Sequence, residues 1–200
     1  EAILLVGDTQ GWLGQSVYLR DVCGREEGAP PPVDLAAEKR NGDVVRGMVR
    51  SGTATAVHDL SDGGLLVALA EMAMASGIGA QLLAAPSATV PHAWWFGEDQ
   101  ARYIVTVPAA DAGLVLAKMK GAGVPCARIG TTGGDAIAVA GETPVAITAL
   151  TKAFESWLPI LHVKRRQPHD LHQSHGALFA AAGDPAASAQ RATPGGLPVT

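Results

Sequence analysis

The chain has 200 residues, of which 48% are hydrophobic, and its formal net charge is −4. This length and apolar content predict one domain with a sizeable core, and no basic stripe precedes residue 164, which argues against a nucleic-acid partner. Two distant cysteines, without histidines at zinc-ligand spacing, argue against a disulfide framework or a structural zinc site.

The N-terminal run, Ile3 to Val6, reads as a buried strand. Because it follows no initiator methionine and no signal peptide, we expect the chain to be cut from a longer protein. No apolar run reaches the length of a membrane span, so we expect a cytoplasmic protein without a membrane partner. The glycines of residues 11–16 suit a loop that approaches a ligand, but a simple turn followed by a helix capped by Ser16 is the more common explanation of such a stretch.

The next elements are one amphipathic helix and a strand. The helix begins near Asp34 and is expected to relax at Gly42. The strand covers Thr53–Val57 and leads into the stretch AVHDLSDGGLLVALAEMA, residues 56–73. Helical periodicity then runs from Gly64 to a natural stop at Gly77.

The second half of the chain is predicted to be mainly strands. These are Ala80–Ala84, Tyr103–Val107, Ala127–Gly130, Ala136–Ala140 and Pro144–Ile147. One helix covers residues 109–122 with Leu114, Val115, Ala117 and Met119 inward, and a last helix covers Thr148–Trp157. The apolar run Ala93–Phe96 is assigned to neither class. Residues 160–200, which contain His169, His172 and His175 at a three-residue spacing, lack a sustained amphipathic period and are expected to form a disordered tail without function.

Two polar clusters lie at corners between regular elements: His58-Asp-Leu-Ser-Asp-Gly-Gly64 and Phe96-Gly-Glu-Asp-Gln-Ala-Arg102. Carboxylates beside exposed backbone N–H groups are what a magnesium-nucleotide site requires. From spacing alone, however, a cap on the following helix by Ser61 or Asp62 is the favoured interpretation. A Glu98–Arg102 salt bridge likewise competes with metal binding by Glu98.

His58 has two interpretations. It could act as a general base, but a single histidine at the end of a strand is more often a hydrogen-bonded structural residue. The sequence contains no Walker A motif, no G-x-G-x-x-G after a strand and no G-x-S-x-G elbow.

Four motifs occur in a fixed order: ILLVG at residues 3–7, GWLGQSVYL at 11–19, HDLSDGGLLVALAE at 58–71 and FGEDQAR at 96–102. In this order they strongly resemble the phosphoribosylformylglycinamidine synthase family, synthetase subunit, and specifically its last domain. The resemblance covers residues 1–159. Single motifs, above all DxSDGG, also occur in the wider superfamily of aminoimidazole ribonucleotide synthetase, selenophosphate synthetase and thiamine-monophosphate kinase.

The resemblance implies an α+β fold, layered and partly ferredoxin-like, similar to the C-terminal domain of aminoimidazole ribonucleotide synthetase. It implies an ATP-dependent ligase that converts formylglycinamide ribonucleotide and glutamine-derived ammonia to formylglycinamidine ribonucleotide. ATP and Mg²⁺ would be used, with a glutaminase as partner. By residue, the family pattern implies ATP contacts at Asp59, Asp62, Gly63, Gly64 and Gly97, a magnesium ligand at Glu98, and a substrate contact at Gln100.

The departures from the family matter as well. The catalytic residues are expected in an N-terminal half that this sequence lacks, so the chain alone should be inactive and would need that half as a partner. The extension after residue 159 is expected to be aberrant, from a frameshift or a fusion. The alternatives are another ATP-using superfamily member, such as a small-molecule kinase, and a non-catalytic truncated fragment.

Overall fold

A computed structural model of the chain describes residues 1–156. The expectations for Trp157, for the tail over residues 160–200 and for its histidines lie outside the described residues. After strand β1 (Ala2–Val6), a short π-helix covers Tyr18–Val22. The remaining elements are α1 (Leu35–Ser51), β2 (Ala56–Asp59), α2 (Gly64–Ser76), β3 (Ala80–Leu82), α3 (Pro91–Phe96), β4 (Tyr103–Val107), α4 (Ala112–Gly121), β5 (Cys126–Thr132), β6 (Ala136–Val139), β7 (Val145–Ala146) and α5 (Ile147–Glu155).

The strands form one seven-stranded sheet in the order β2-β4-β1-β5-β3-β6-β7. All neighbouring pairs are antiparallel except β3 and β6, which are parallel. Four of the strands, in the order β2-β4-β1-β5, form a ferredoxin-like unit. In this unit α1 connects β1 to β2, and α4 connects β4 to β5. The segment α2-β3-α3 is inserted between its two halves. The predicted fold class, α+β and partly ferredoxin-like, is therefore confirmed.

The sheet has a hydrophobic core on each face. Strand β1 is buried along its whole length, and its side chains alternate between the two cores because successive strand residues point to opposite faces. Ala2, Leu4 and Val6 contribute to the core under α1 and α4. Ile3 and Leu5 contribute to the core under α2, α3 and α5. The molecule is thus a three-layer structure with the sheet in the middle.

Several predicted elements are confirmed within a residue or two. Strand β4 has the predicted bounds, and α2 ends at Ser76 with the predicted Gly77 as its C-cap in a left-handed conformation. Asp34 caps α1 through hydrogen bonds from the backbone N–H groups of Ala36 and Ala37. The hydroxyl of Ser16 accepts the backbone N–H of Leu19, so the predicted cap is present at the π-helix.

Other predictions were wrong in ways that packing explains. Helix α1 continues through Gly42, which instead makes room for the Tyr103 hydroxyl, since a Cβ there would lie 3.2 Å from that oxygen. Strand β2 begins at Ala56 because the backbone N–H of Thr53 still bonds to α1. The apolar run before Gly97 belongs to α3, which Pro91 starts at its first turn.

The face of α4 was also predicted wrongly. The helix begins at Ala112, and Ala112, Val115 and Met119 form its buried stripe. Leu114 is 60% exposed, and Ala117 is exposed as well. The sequence pattern alone allowed two adjacent stripes because alanine and leucine occur on both.

Within residues 1–156, no helix combines the length and the hydropathy that a bilayer span requires.

Candidate functional site

The two polar corners meet because their strands are paired. β2 and β4 are antiparallel neighbours in which Asp59 lies opposite Tyr103, so the end of β2 is next to the beginning of β4. The pairing continues one step further, since the backbone N–H of Leu60 donates to the Arg102 carbonyl at 3.0 Å. The loop after β2 and the loop before β4 therefore lie side by side at one edge of the sheet.

A pocket of about 300 Å³, here called the acidic pocket, lies between these loops. Its wall contains four of the predicted site residues, Asp59, Asp62, Glu98 and Gln100. Glu38 of α1 adds a further carboxylate. The pocket thus brings Glu38 together with Gln100, 62 positions further along the sequence. Its four carboxylates outnumber the one guanidinium of the wall, that of Arg102, so its charge suits a cation or a metal-bound ligand better than a free anion.

Glu98 is the best-anchored carboxylate of the pocket. Its Oε1 accepts the backbone N–H groups of Gly63 and Val17, each at 2.8 Å. Burial raises the pKa of the Glu98 carboxyl, and these two hydrogen bonds lower it in part. The nearby negative charge of Asp62 raises the pKa further, and Arg20 lowers it. One oxygen of Glu98 therefore holds the backbone of three segments together.

The capping interpretation of Ser61 and Asp62 is wrong. Gly63 is the N-cap of α2, and neither side chain makes a capping hydrogen bond to this helix. The backbone carbonyl of Ser61 accepts the N–H of Gly64, while Glu98 accepts that of Gly63. Asp62 is exposed at the pocket wall and is not engaged in holding the helix.

The three predicted glycines lie beside the pocket. The backbone N–H of Gly63 donates to Glu98 of the pocket wall, whereas Gly64 and Gly97 are packed against each other. A Cβ on Gly64 would lie 2.5 Å from the Gly97 carbonyl oxygen, and one on Gly97 would lie 2.9 Å from Cα of Gly11. These distances are too short for any side chain, so close backbone packing alone requires glycine at both positions.

Asp99 is a structural centre that the sequence interpretation left without a role. Asp99 is 7% exposed, and its carboxylate accepts the backbone N–H groups of Gln10, Gly11 and Trp12. The loop after β1 is therefore built around the loop before β4. Asp99 is part of the FGEDQAR motif, where it lies between the candidate ligands Glu98 and Gln100. The sequence does not show that its side chain points into the protein and away from the pocket.

Arg102 is fully buried and accompanies Asp99. Its guanidinium lies 3.8 Å from the Asp99 carboxylate and donates to the backbone carbonyls of Asp99 and Gly97 and to Oγ1 of Thr9. Desolvation lowers the pKa of this guanidinium, and the charge of Asp99 raises it. The predicted Glu98–Arg102 salt bridge is thus replaced by an Asp99–Arg102 pair.

His58 is held as a structural residue. Its Nδ1 lies 2.6 Å from the Asp59 carbonyl oxygen, and its Nε2 lies 3.2 Å from Oε2 of Glu71 on α2. The ring lines an apolar groove between α2 and the sheet and is not in the wall of the acidic pocket. The hydrogen-bonded interpretation of His58 is therefore confirmed.

The donor set of the pocket fits a hydrated Mg²⁺ and does not fit a closed metal cage. Residues 1–156 contain no group of three or more His, Cys, Asp or Glu side chains arranged to hold a metal ion. Mg²⁺ commonly keeps several waters and binds through one or two carboxylates together with substrate phosphates. Glu98 and Asp62 can supply such carboxylate oxygens.

The fold and the pocket define an α+β domain with a ferredoxin-like core and an acidic pocket at one sheet edge. Residues 1–141 match the family described as AIR synthase related protein, C-terminal domain, and the chain belongs to that family.

Curated relatives match the chain closely but are much longer. The phosphoribosylformylglycinamidine synthase subunit PurL of Bradyrhizobium sp. strain BTAi1 is 80% identical over 159 residues, which are 80% of this chain and 22% of that protein. The subunit of Nitrobacter hamburgensis is 76% identical over 159 residues, with 80% and 21% covered. The chain therefore spans about a fifth of the length of these relatives.

Solved structures share the fold at low sequence identity. The structure of T. maritima PurL complexed with FGAR has a TM-score of 0.61 at 18% identity and covers 74% of this chain and 27% of that one. The structure of T. maritima PurL complexed with ATP has a TM-score of 0.56 at 18% identity, with 74% and 25% covered.

Proposed function

We propose that this chain is the C-terminal part of a phosphoribosylformylglycinamidine synthase, an ATP-dependent carbon–nitrogen ligase of purine biosynthesis. The observation that carries the proposal is the 80% identity over 159 residues to a relative with that name. The T. maritima proteins of the same fold are described in complexes with FGAR and with ATP, which agrees with the proposed substrates. The enzyme would act in the cytoplasm on formylglycinamide ribonucleotide.

In the proposed reaction, the amide oxygen of formylglycinamide ribonucleotide attacks the γ-phosphorus of ATP, and ADP leaves. Ammonia, delivered from glutamine by a glutaminase, then adds to the activated carbon and displaces phosphate, which gives formylglycinamidine ribonucleotide. Such chemistry depends on positioning and charge neutralisation. The catalytic residues would be supplied by the N-terminal half of the synthetase, so residues 1–159 alone would not turn over substrate.

Within this chain we assign the acidic pocket to the metal-nucleotide and substrate. Glu98 would bind Mg²⁺ through Oε2, because its Oε1 already accepts two backbone N–H groups. Bound Mg²⁺ would neutralise phosphate charge in a pocket that otherwise repels it. Asp59 and Asp62 would contact ATP beside Gly63, and Gln100 would contact the ribonucleotide. Gly64 and Gly97 would keep the backbone close to the nucleotide as well as to each other.

The proposal is tested in a chimera in which residues 1–156 replace the matching part of the Bradyrhizobium synthase. We expect ammonia-dependent ADP formation close to that of the parent enzyme. Asp62→Asn and Glu98→Gln should each lower turnover at least about tenfold, because both remove charge at the proposed metal-nucleotide site. Glu142→Gln, at an exposed turn, is the matched control and should have no effect.

An inactive chimera, or full turnover with both Asp62→Asn and Glu98→Gln, would contradict the proposal. Phosphoryl transfer from ATP by the isolated 200-residue chain would favour a small-molecule kinase instead. A chimera that folds and binds the glutaminase but hydrolyses no ATP would favour a non-catalytic fragment.

A further inference from the structure

Ala101 has an unusual backbone conformation in the wall of the acidic pocket. Its φ is +58°, in the left-handed region that residues other than glycine rarely adopt. Such conformations cost free energy and persist only where neighbouring groups enforce them. Ala101 follows Gln100, the proposed substrate contact, and precedes the buried Arg102. The conformation of Ala101 therefore influences where Gln100 lies.

Two side chains of α1 hold both backbone polar groups of Ala101. The Ala101 N–H donates to Oε1 of Glu38 at 2.9 Å, and Nδ2 of Asn41 donates to the Ala101 carbonyl at 2.9 Å. Glu38 and Asn41 lie on the helix face that continues through Val45 and Met48 into the core, as the helical period requires. This arrangement, here called the Ala101 clamp, links α1 to the pocket wall.

Asn41 is a buried polar residue whose amide is only partly hydrogen-bonded. It is only 2% exposed, and its Oδ1 has no hydrogen-bond partner among residues 1–156. Burying an unpaired amide oxygen is unfavourable, and an apolar side chain at this core position would avoid that cost. The hydrogen bond to the Ala101 carbonyl is the one that the structure shows for this side chain. Asn41 is also absent from the pocket wall, so it would act through Ala101.

We propose that Asn41 is a positioning residue, which together with Glu38 keeps Ala101 left-handed and thereby sets the position of Gln100 in the acidic pocket. Asp99 and Arg102 are anchored on either side by buried hydrogen bonds. Rotation at Ala101 would therefore redirect the backbone between these two anchored residues. The role of Gln100 toward substrate rests on the proposed function, whereas the clamp itself does not.

The first test follows hydrogen exchange of peptides covering residues 97–103 in the 200-residue chain. Asn41→Leu keeps the branched shape of the side chain but removes the donor, and it should speed exchange there about fivefold. Ala101→Val should have the same effect without changing α1, since a β-branched residue resists the left-handed conformation. Ala101→Gly should restore slow exchange in the Asn41→Leu background, because glycine adopts this conformation without steric cost. Arg40→Leu, exposed on the same helix, is the control and should leave this exchange unchanged.

The second test measures kinetics in the chimera described above. Asn41→Leu should raise KM for the ribonucleotide about fivefold with little change in kcat, and added Ala101→Gly should reverse the increase. A residue that only packs the core would alter the unfolding midpoint but would not be rescued by glycine at position 101.

The outcomes separate the two proposals. Unchanged exchange in both Asn41→Leu and Ala101→Val would overturn the clamp, whatever the activity of the chimera. If Asn41→Leu speeds exchange but leaves KM unchanged, and Glu98→Gln inactivates the chimera, the positioning role of Asn41 would be overturned and the clamp would remain. Full activity of Glu98→Gln and Asp62→Asn, together with faster exchange in Asn41→Leu, would contradict the proposed function and leave the clamp in place.

Discussion

Glu98 accepts the backbone N–H of Gly63 at 2.8 Å, so the N-terminus of α2 is capped by a side chain from a loop 35 residues away. The same oxygen accepts the N–H of Val17. Glu98 is therefore a structural link as well as the proposed metal ligand. Glu98→Ala would remove both properties and leave buried donors unpaired, whereas Glu98→Gln keeps an oxygen acceptor and removes only the charge.

Glu98→Gln should change how the stability of the chain depends on pH. The pKa of the Glu98 carboxyl is raised above its ordinary value of 4.5 in the folded protein, chiefly by burial. The folded state then binds this proton more tightly than the unfolded state does. As pH rises from 4.5 through the folded pKa, the wild type loses stability relative to Glu98→Gln, which does not titrate at this position.

The measurement is urea unfolding of both proteins at several pH values, from the ordinary carboxyl pKa of 4.5 upward. The free energy of unfolding of the wild type minus that of Glu98→Gln should fall with pH and then level off. Glu142→Gln should show no such trend. A difference that stays constant, or that grows with pH, would show that burial does not raise this pKa.

Asp99→Asn should strongly destabilise the fold. The substitution leaves the buried Arg102 guanidinium without its counter-charge and replaces one acceptor oxygen by a donor that faces backbone N–H groups. Removing one partner of a buried ion pair typically costs about 3–5 kcal/mol. Chemical denaturation should detect this loss, while Asp43→Asn on the surface of α1 should be close to wild type.

A double variant tests whether the stability lost in Asp99→Asn comes from the unpaired charge of Arg102. In Asp99→Asn with Arg102→Met, no unpaired charge remains, so part of the lost stability should return. Strictly additive losses would mean that Asp99 acts through the loop at residues 10–12 alone.

Much of the fold was predictable from local sequence pattern. The β-branched run at Tyr103–Val107 and the apolar period after Gly64 gave a strand and a helix with nearly correct bounds. α4 was less clear because leucine and alanine occur on both of its faces, and only the sheet decides which stripe is buried. In the structure that stripe contains Val115 and excludes Leu114.

The candidate site was predictable as a set of residues but not as a network. The motifs identified Asp62 and Glu98, and the pairing of β2 with β4 brings their loops into one pocket. Sequence pattern does not indicate that Glu98 caps α2 or that Asn41 contacts Ala101, because long-range hydrogen bonds of this kind produce no periodicity in the sequence. The non-glycine residue in a left-handed conformation was equally hidden, since turn signals favour glycine or asparagine there.

Gly64→Ala and Gly47→Ala should have opposite effects on stability. Gly64 has a φ of +69°, and a Cβ there would lie 2.5 Å from the Gly97 carbonyl oxygen, so alanine forces the two corners apart. Gly47 lies in the exposed middle of α1 with no atom within 4 Å of a Cβ. Alanine at position 47 should stabilise the chain by about 0.5–1 kcal/mol.

Thermal unfolding of both variants provides the measurement. The midpoint should rise for Gly47→Ala and fall clearly for Gly64→Ala. A neutral Gly64→Ala would indicate that the loops at residues 63–64 and 96–97 are not in close contact, and the acidic pocket between the corners would then have to be redefined.

The two cysteines should differ in reactivity although they share one chain. Burial raises the pKa of the Cys126 thiol to about 11, whereas Cys23 is exposed. Because the thiolate is the reactive form, only about one Cys126 side chain in a thousand is ionised at pH 8. A disulfide reagent should therefore modify one thiol rapidly in the folded chain and two after denaturation. Cys23→Ser should abolish the rapid phase, and a rapid phase that persists in Cys23→Ser would show that β5 opens at its first residue.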